Sequence, residues 1–238
     1  MLFRSRRERI RHVGAIKFDP ENVHVDPAVP ERILGALKID KGCPVIFGGS
    51  THAGEEEILG RVFRELRAEF PGLFLIVAPR HAERAREVQA KLQELSLRVV
   101  LRSETTGVQA TAADCLVLDT TGELRHWYAA ATIVFMGKSL TARGGQNPVE
   151  PILAGKPVLF GPHMENFSAL AQTLVASGGA IQVSDANSLR LKAAELLRDP
   201  GARGDLVANA RDVLVAHRGA TARTAKLVSD LKSIPSDH

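Results

Sequence analysis

Arg80 stands between Pro79 and His81 at the end of an apolar run, and its guanidinium fork has the geometry to grip a phosphate; a plain surface arginine is the competing reading. A second candidate is Gly48-Gly49-Ser50-Thr51-His52-Ala53-Gly54-Glu55. Its glycines let a ligand approach the backbone, and the helix start behind it offers N–H groups to an anion. The same residues also suit an ordinary strand-to-helix turn with a Ser or Thr cap, and G-x-G-x-x-G is not spelled here. Asp119-Thr120-Thr121-Gly122-Glu123-Leu124 reads first as a capped helix start, with Thr120 or Thr121 as cap and Glu123 in the first turn. Gly137-Lys138-Ser139 ends like a phosphate loop, but that motif needs a glycine where Thr132 stands, and the match is rejected. Arg143-Gly144-Gly145-Gln146-Asn147-Pro148-Val149-Glu150 carries a full helix-start signature: Asn147 as N-cap, Pro148 at N1, Glu150 at N3. Its amides could receive a phosphate, and Glu150 could accept two ribose hydroxyls. In Gly161-Pro162-His163-Met164-Glu165-Asn166-Phe167, His163 is either a site residue or a packed turn histidine.

These runs share a context, because each follows a short apolar stretch and most precede an amphipathic one. The periodicity predicts strands at Pro44–Gly48, Leu73–Ala78, Arg98–Leu101, Cys115–Leu118, Thr132–Met136, Pro157–Phe160 and Ala180–Val183. It predicts helices at Gly54–Phe70, His81–Leu95, Gly122–Ala130, Pro148–Ala154 and Asn166–Ser177, with a polar loop over Ser103–Ala113 and helix through Asn187–Leu231. Glu55, Glu56 and Glu57 fall where the helix dipole favours anions. Nearly continuous apolar strands alternating with helices define an α/β chain with a Rossmann-like, doubly wound parallel sheet. Ligands of such sheets bind beyond the carboxyl ends of the strands, which is where these runs fall, at five strand ends. Residues 1–40 show no strong alternation and read as a leading segment; residues 41–238 form the α/β domain with its C-terminal helices.

Composition narrows the class. Of 238 residues 45% are hydrophobic and 24% charged, enough for a core and incompatible with a disordered tail. The apolar stretch Trp127–Gly137 is far too short to span a bilayer. Cys43 and Cys115 form neither a disulfide framework nor a metal motif, which fits a reducing cytoplasm. Aromatics are only 5% of the chain, which argues against a base-stacking nucleic-acid surface. The net charge is +4, with Arg4, Arg6, Arg7, Arg9 and Arg11 crowded at the front. That arm is either simply solvated or a patch for an acidic membrane surface or phosphates.

Taken in order and spacing, the runs resemble one family, the C-terminal half of 3-deoxy-D-manno-octulosonic acid (Kdo) transferase. The resemblance rests on Ser50-Thr51-His52-Ala53-Gly54-Glu55-Glu56, Pro79-Arg80-His81, Thr120-Thr121-Gly122-Glu123-Leu124 followed by Tyr128, Gly144 through Glu150, and Gly161 through Phe167. Val13-Gly14-Ala15-Ile16-Lys17-Phe18-Asp19 looks like that family's interdomain linker. The resemblance implies half of a GT-B glycosyltransferase, whose C-terminal domain binds the donor CMP-Kdo and whose N-terminal domain binds a lipid A precursor in lipopolysaccharide biosynthesis. It implies inverting transfer, with no cofactor, no required metal and no nucleic-acid partner, at the cytoplasmic face of the inner membrane, with peripheral membrane contact.

Carried onto this sequence, the resemblance implies CMP contacts at Pro79, Arg80, Thr121, Gly122, Glu123, Asn147, Pro148, Val149 and Glu150, with Ser50, Thr51, His52 and Lys138 on the same rim. Arg80 and the Asn147–Glu150 helix start would take the charge that builds on the departing phosphate. Gln146 stands where many members have His, and Lys138 replaces a common glycine, adding a cation near the Kdo carboxylate. The family's general base is a glutamate of the acceptor domain. None of Glu8, Asp19, Glu21, Asp26, Glu31 or Asp40 sits in its motif, so the resemblance implies a donor half that is inactive alone. Another GT-B nucleotide-sugar enzyme (a UDP-sugar transferase or epimerase) and a non-catalytic nucleotide-binding module are the alternatives.

Overall fold

Neighbouring residues along each apolar run are buried on opposite faces of one sheet, so two cores are needed to cover them. In the computed structural model, which describes Val13, Ile16 and residues 26–105, 112–215 and 218–232, the sheet has seven parallel strands in the order β3-β4-β2-β1-β5-β6-β7. The strands are β1 (Val45–Thr51), β2 (Phe74–Pro79), β3 (Val99–Leu101), β4 (Cys115–Val117), β5 (Ile133–Met136), β6 (Val158–Phe160) and β7 (Ile181–Gln182). The basic front, most of the linker-like stretch and part of the Ser103–Ala113 loop lie outside the described residues.

Phe47, Ile76, Leu116, Val134 and Phe160 point to one face. There they meet Ile33 of α1 (Ala28–Ala36), Trp127 of α4 (Leu124–Trp127), Ile152 of α5 (Val149–Leu153), Leu170 and Leu174 of α6 (Ser168–Ala176), and Leu214 of α8 (Pro200–Val215). Ile46, Leu75, Val77, Phe135 and Leu159 point to the other. They are covered by Leu59 and Phe63 of α2 (Glu55–Arg67), Val88 and Leu92 of α3 (Ala85–Glu94), and Leu189 and Leu196 of α7 (Ala186–Arg198). A last helix, α9 (Ala220–Lys232), follows. Among the described residues no helix is long and apolar enough to cross a membrane.

Several predicted boundaries move for identifiable reasons. β1 runs on to Thr51, past a register shift at Gly49–Thr51 where Ser50 takes a left-handed φ of 52°. The predicted Gly122–Ala130 helix is one short turn plus a 3-10 turn at Tyr128–Ala130. The C-terminal helix breaks at Asp199-Pro200, where the Asp199 carboxylate accepts the Ala202 N–H at 3.0 Å and so caps a new helix. The leading segment includes α1, whose Ile33 is buried in the core together with the C-cap Leu37; nine residues are too few for an apolar period to show.

Successive connections run outward from β1 toward β3 on one side and from β5 toward β7 on the other. The switch point of the sheet is therefore the β1–β5 boundary, and a ligand crevice is expected above it.

Candidate functional site

The carboxyl ends of β1, β2 and β4 enclose a cleft of about 180 Å³ lined by Ser50, Pro79, Arg80, Thr120, Thr121, Gly122 and Leu124. The Arg80 N–H donates to the Thr51 carbonyl at 3.0 Å, which anchors its backbone to β1 while the side chain stays exposed along the cleft. Gly122 has φ +83°, a conformation that favours glycine, and nothing crowds its Cα, so the loop passes close to the cleft at low cost. Ser50, Pro79, Arg80, Thr121 and Gly122, quoted from three separate runs, thus share one small space.

A second group gathers at the switch point. Nε2 of His52 lies 3.5 Å from Nε2 of Gln146, and its ring meets that of His81 edge-on at 6.1 Å. Burial pushes the His52 pKa down, Lys138, His81 and Arg84 push it further, and Glu55 opposes them. Lys138 has φ +56°, and its side chain passes over Gly144, where a Cβ would meet Asn166 Nδ2 at 2.8 Å and Lys138 Cε at 3.4 Å.

The third group departs from expectation. Asn147 accepts the Val149 N–H on Oδ1 at 3.1 Å, but it stands one residue ahead of the N-cap, which is Pro148 and not Asn147 as expected, and α5 is only five residues long. Pro148 and Pro151 carry no N–H and that of Val149 is already bonded, which leaves the start of α5 fewer amides for an anion than its sequence suggests. The Val149 side chain is core, only 4% exposed, and the fully buried Thr51 likewise has no side chain to offer the rim. Glu150 remains half-buried at the loop edge. Glu123 is engaged rather than free: Nε and Nη2 of Arg102 donate to its two carboxylate oxygens at 3.0 and 3.1 Å, and Trp127 Nε1 donates at 3.4 Å. It braces the wall of the cleft. Nor does Ser50 or Thr51 cap α2, whose N-cap is Gly54 with no side-chain bond.

Two structural carboxylates escaped sequence reasoning. Glu55 is fully buried and accepts from four backbone N–H groups: His52 and Lys138 on Oε2 (2.9 and 2.8 Å), Ser139 and Leu140 on Oε1 (both 2.9 Å). Glu165 accepts the Gly144 N–H at 2.7 Å and Arg143 Nε at 3.1 Å, and His163 Nδ1 stands 3.3 Å away. Its own amide and that of Gly144, with Arg143 and His163, hold its pKa at about 2. His163 is thereby a loop brace. The only hint of these roles was an acid next to a glycine-rich loop, which does not say which amides will reach it.

Among the described residues no group of three or more His, Cys, Asp or Glu could hold a metal ion. A cavity of about 370 Å³ lies at the opposite end of the sheet, lined by Leu34, Ile39, Cys43, Val45, Ala130 and Thr132, away from the strand ends where a doubly wound fold binds ligands.

The parallel sheet, its switch point and this rim define a Rossmann-like domain of the GT-B glycosyltransferase class. The C-terminal domain of a group 1 glycosyltransferase (LpcC) from Francisella tularensis shares that fold, with a TM-score of 0.54 at 16% identity over 83% of this chain and 94% of that one. No family model matches the chain. It is 36% identical to the 3-deoxy-D-manno-octulosonic acid transferase of Bordetella pertussis over 91% of its length and 50% of that protein's, and 32% identical to that of Haemophilus influenzae over 93% and 52%. The C-terminal CMP-Kdo binding domain of WaaA from Acinetobacter baumannii superposes with a TM-score of 0.70 at 29% identity, covering 79% of this chain and 98% of that domain. Over nearly its whole length the chain is similar to these Kdo transferases, and it spans about half the length of the curated relatives it matches.

Proposed function

We propose that this chain is the donor-binding half of a Kdo transferase, and that its rim holds the CMP of CMP-Kdo. The observation that carries the reading is the convergence of Ser50, Pro79, Arg80, Thr121 and Gly122 on one cleft beside the switch point. Arg80 is the cation best placed for the phosphate. Glu150 is the acceptor for ribose hydroxyls, and Lys138 is the cation for the sugar carboxylate.

In the reaction, an acceptor hydroxyl oxygen bonds the anomeric carbon of Kdo as the carbon–oxygen bond to the CMP phosphate breaks. The electron pair leaves on the phosphate oxygen, and a base takes the hydroxyl proton. Arg80 stabilises the charge on the leaving phosphate, which is electrostatic catalysis by a preorganised donor. No cofactor enters this scheme. The base and the lipid A precursor belong to the acceptor half, working at the cytoplasmic face of the inner membrane.

Calorimetric titration of the chain with CMP and with UDP tests the reading. CMP should bind and raise the melting temperature, since a ligand that binds only the folded state must stabilise it. Tighter binding of UDP, or no nucleotide-induced stabilisation, would overturn it.

A further inference from the structure

We propose that Glu55 is a positioning residue of the rim: its carboxylate clamps the loop after β5 to the start of α2 and so sets the arrangement in which the donor nucleotide is received. The proposal rests on the donor-site reading above and names the residue that shapes that site.

β1 and β5 flank the switch point, and their ends are in contact. A Cβ on Gly137 would come within 2.4 Å of the Ser50 carbonyl oxygen. With Lys138 held left-handed at φ +56°, the N–H groups of Lys138, Ser139 and Leu140 converge on one point, the kind of nest that takes an anion. Here the anion is the protein's own. The Glu55 carboxylate fills the nest from the first residue of α2 and takes the His52 N–H as well.

Two consequences follow. The nest is closed to a ligand phosphate, which directs the phosphate toward the Arg80 side of the rim. The loop residues that Glu55 holds in turn hold others. The Lys138 carbonyl accepts the Gly145 N–H at 2.8 Å, the Ser139 carbonyl accepts the His163 N–H at 2.9 Å, and Ser139 Oγ accepts the Gly161 N–H at 2.8 Å. One buried carboxylate thereby fixes His52, Lys138 and the glycine-rich run ahead of Asn147, together with the loop after β6.

Chemistry explains why the group is an acid. Each carboxylate oxygen can accept two N–H groups, whereas a glutamine would turn its NH2 toward two of the four donors. Glu55→Gln should therefore break half the clamp at constant shape. The expected result is faster amide exchange at His52 and residues 138–140, by about tenfold or more, and CMP binding weakened about 10- to 100-fold when measured well below the melting temperature. Glu57→Gln is the control. Glu57 lies in the same helical turn but pairs with Lys91 at 2.9 Å, so its loss should lower the melting temperature without changing either readout.

Wild-type CMP affinity and wild-type exchange at residues 138–140 in Glu55→Gln would overturn the proposal, whatever happens to stability. If Glu55→Gln does not fold, Ser139→Ala removes the two Oγ bonds, the one accepted from the Gly161 N–H and the one donated to the Met136 carbonyl. It should speed exchange at Gly161 and weaken CMP by about threefold or more, and unchanged values there also overturn it. If the wild-type chain binds no CMP, the donor reading fails on its own, and the exchange comparison still decides whether Glu55 holds the loops.

Discussion

At the scale of single residues, the rim separates side chains that shape loops from those free to meet a ligand. The exposed Arg80 has its backbone anchored to β1, so Arg80→Ala should leave folding nearly unchanged and weaken CMP by about 1.5–3 kcal/mol, the range for a hydrogen bond to a charged group; calorimetry measures this, and an unchanged affinity removes the assigned role. Lys138 makes a different forecast. Its left-handed φ is one that a side chain resists and glycine does not, so Lys138→Gly should keep stability within about 1 kcal/mol of wild type. The same change should weaken CMP-Kdo more than CMP, because only the sugar nucleotide brings the carboxylate. Equal losses for the two ligands would place Lys138 on the phosphate instead. Glu150→Gln retains shape beside the Asn147–Val149 hydrogen bond, so thermal melting should barely shift while CMP binding falls, since an amide accepts less strongly from ribose hydroxyls than a carboxylate.

At the scale of elements, the strand ends are locked by close backbone approaches and charged ties. A Cβ on Gly161 would lie 2.0 Å from the Ser139 carbonyl oxygen, where backbone and not a pliable side chain must yield. Gly161→Ala should cost about 3 kcal/mol, at the upper end for overpacking, as read from urea denaturation. At the other end of the sheet Asp114 ties β4 to α2 and β3, accepting from Arg98 Nε at 2.9 Å and Nη2 at 2.6 Å and from Arg67 Nη1. Burial pushes its pKa up, but the bonds from Arg98 and Arg67 prevail and hold it at about 2, below its ordinary value. A carboxyl with a depressed folded-state pKa stabilises fully once the unfolded chain is ionised, and loses that stabilisation as pH falls toward the folded pKa. About 2 kcal/mol should therefore disappear between roughly pH 5 and pH 2 and be absent from the pH profile of Asp114→Asn. Identical acid limbs for the two proteins would show that the tie contributes nothing.

At the scale of the whole molecule, the chain spans about half the length of its curated relatives, and its proposed chemistry needs a base and an acceptor surface that the rim does not supply. Incubated alone with CMP-Kdo and a lipid A precursor, it should bind donor without forming product. A positioned base contributes typically 10²–10⁴-fold, and orientation of the acceptor adds to it. Turnover by mass spectrometry at about 1 s⁻¹ or faster, ordinary for an enzyme, would reverse this and turn attention to His52, the imidazole at the switch point.

The sequence by itself determined the alternation of strands and helices, the parallel sheet and the rim runs, because hydrophobic period and turn chemistry are local and survive without a partner. The runs around Arg80, Thr121-Gly122 and Ser50 were legible for the same reason. Only the tertiary structure decided that β3 lies outside β4, that β1 and β5 flank the switch point, and that α1 packs into the core. Strand order depends on which faces meet, and no single segment encodes it. The roles of the acids were likewise out of reach. Glu55 and Glu123 read as helix-start residues and Glu165 only as part of a loop run, yet one clamps a loop more than eighty residues away, one braces Arg102 and one holds Gly144. A carboxylate takes its role from the donors that folding brings within about 3 Å, and those donors lie far along the chain.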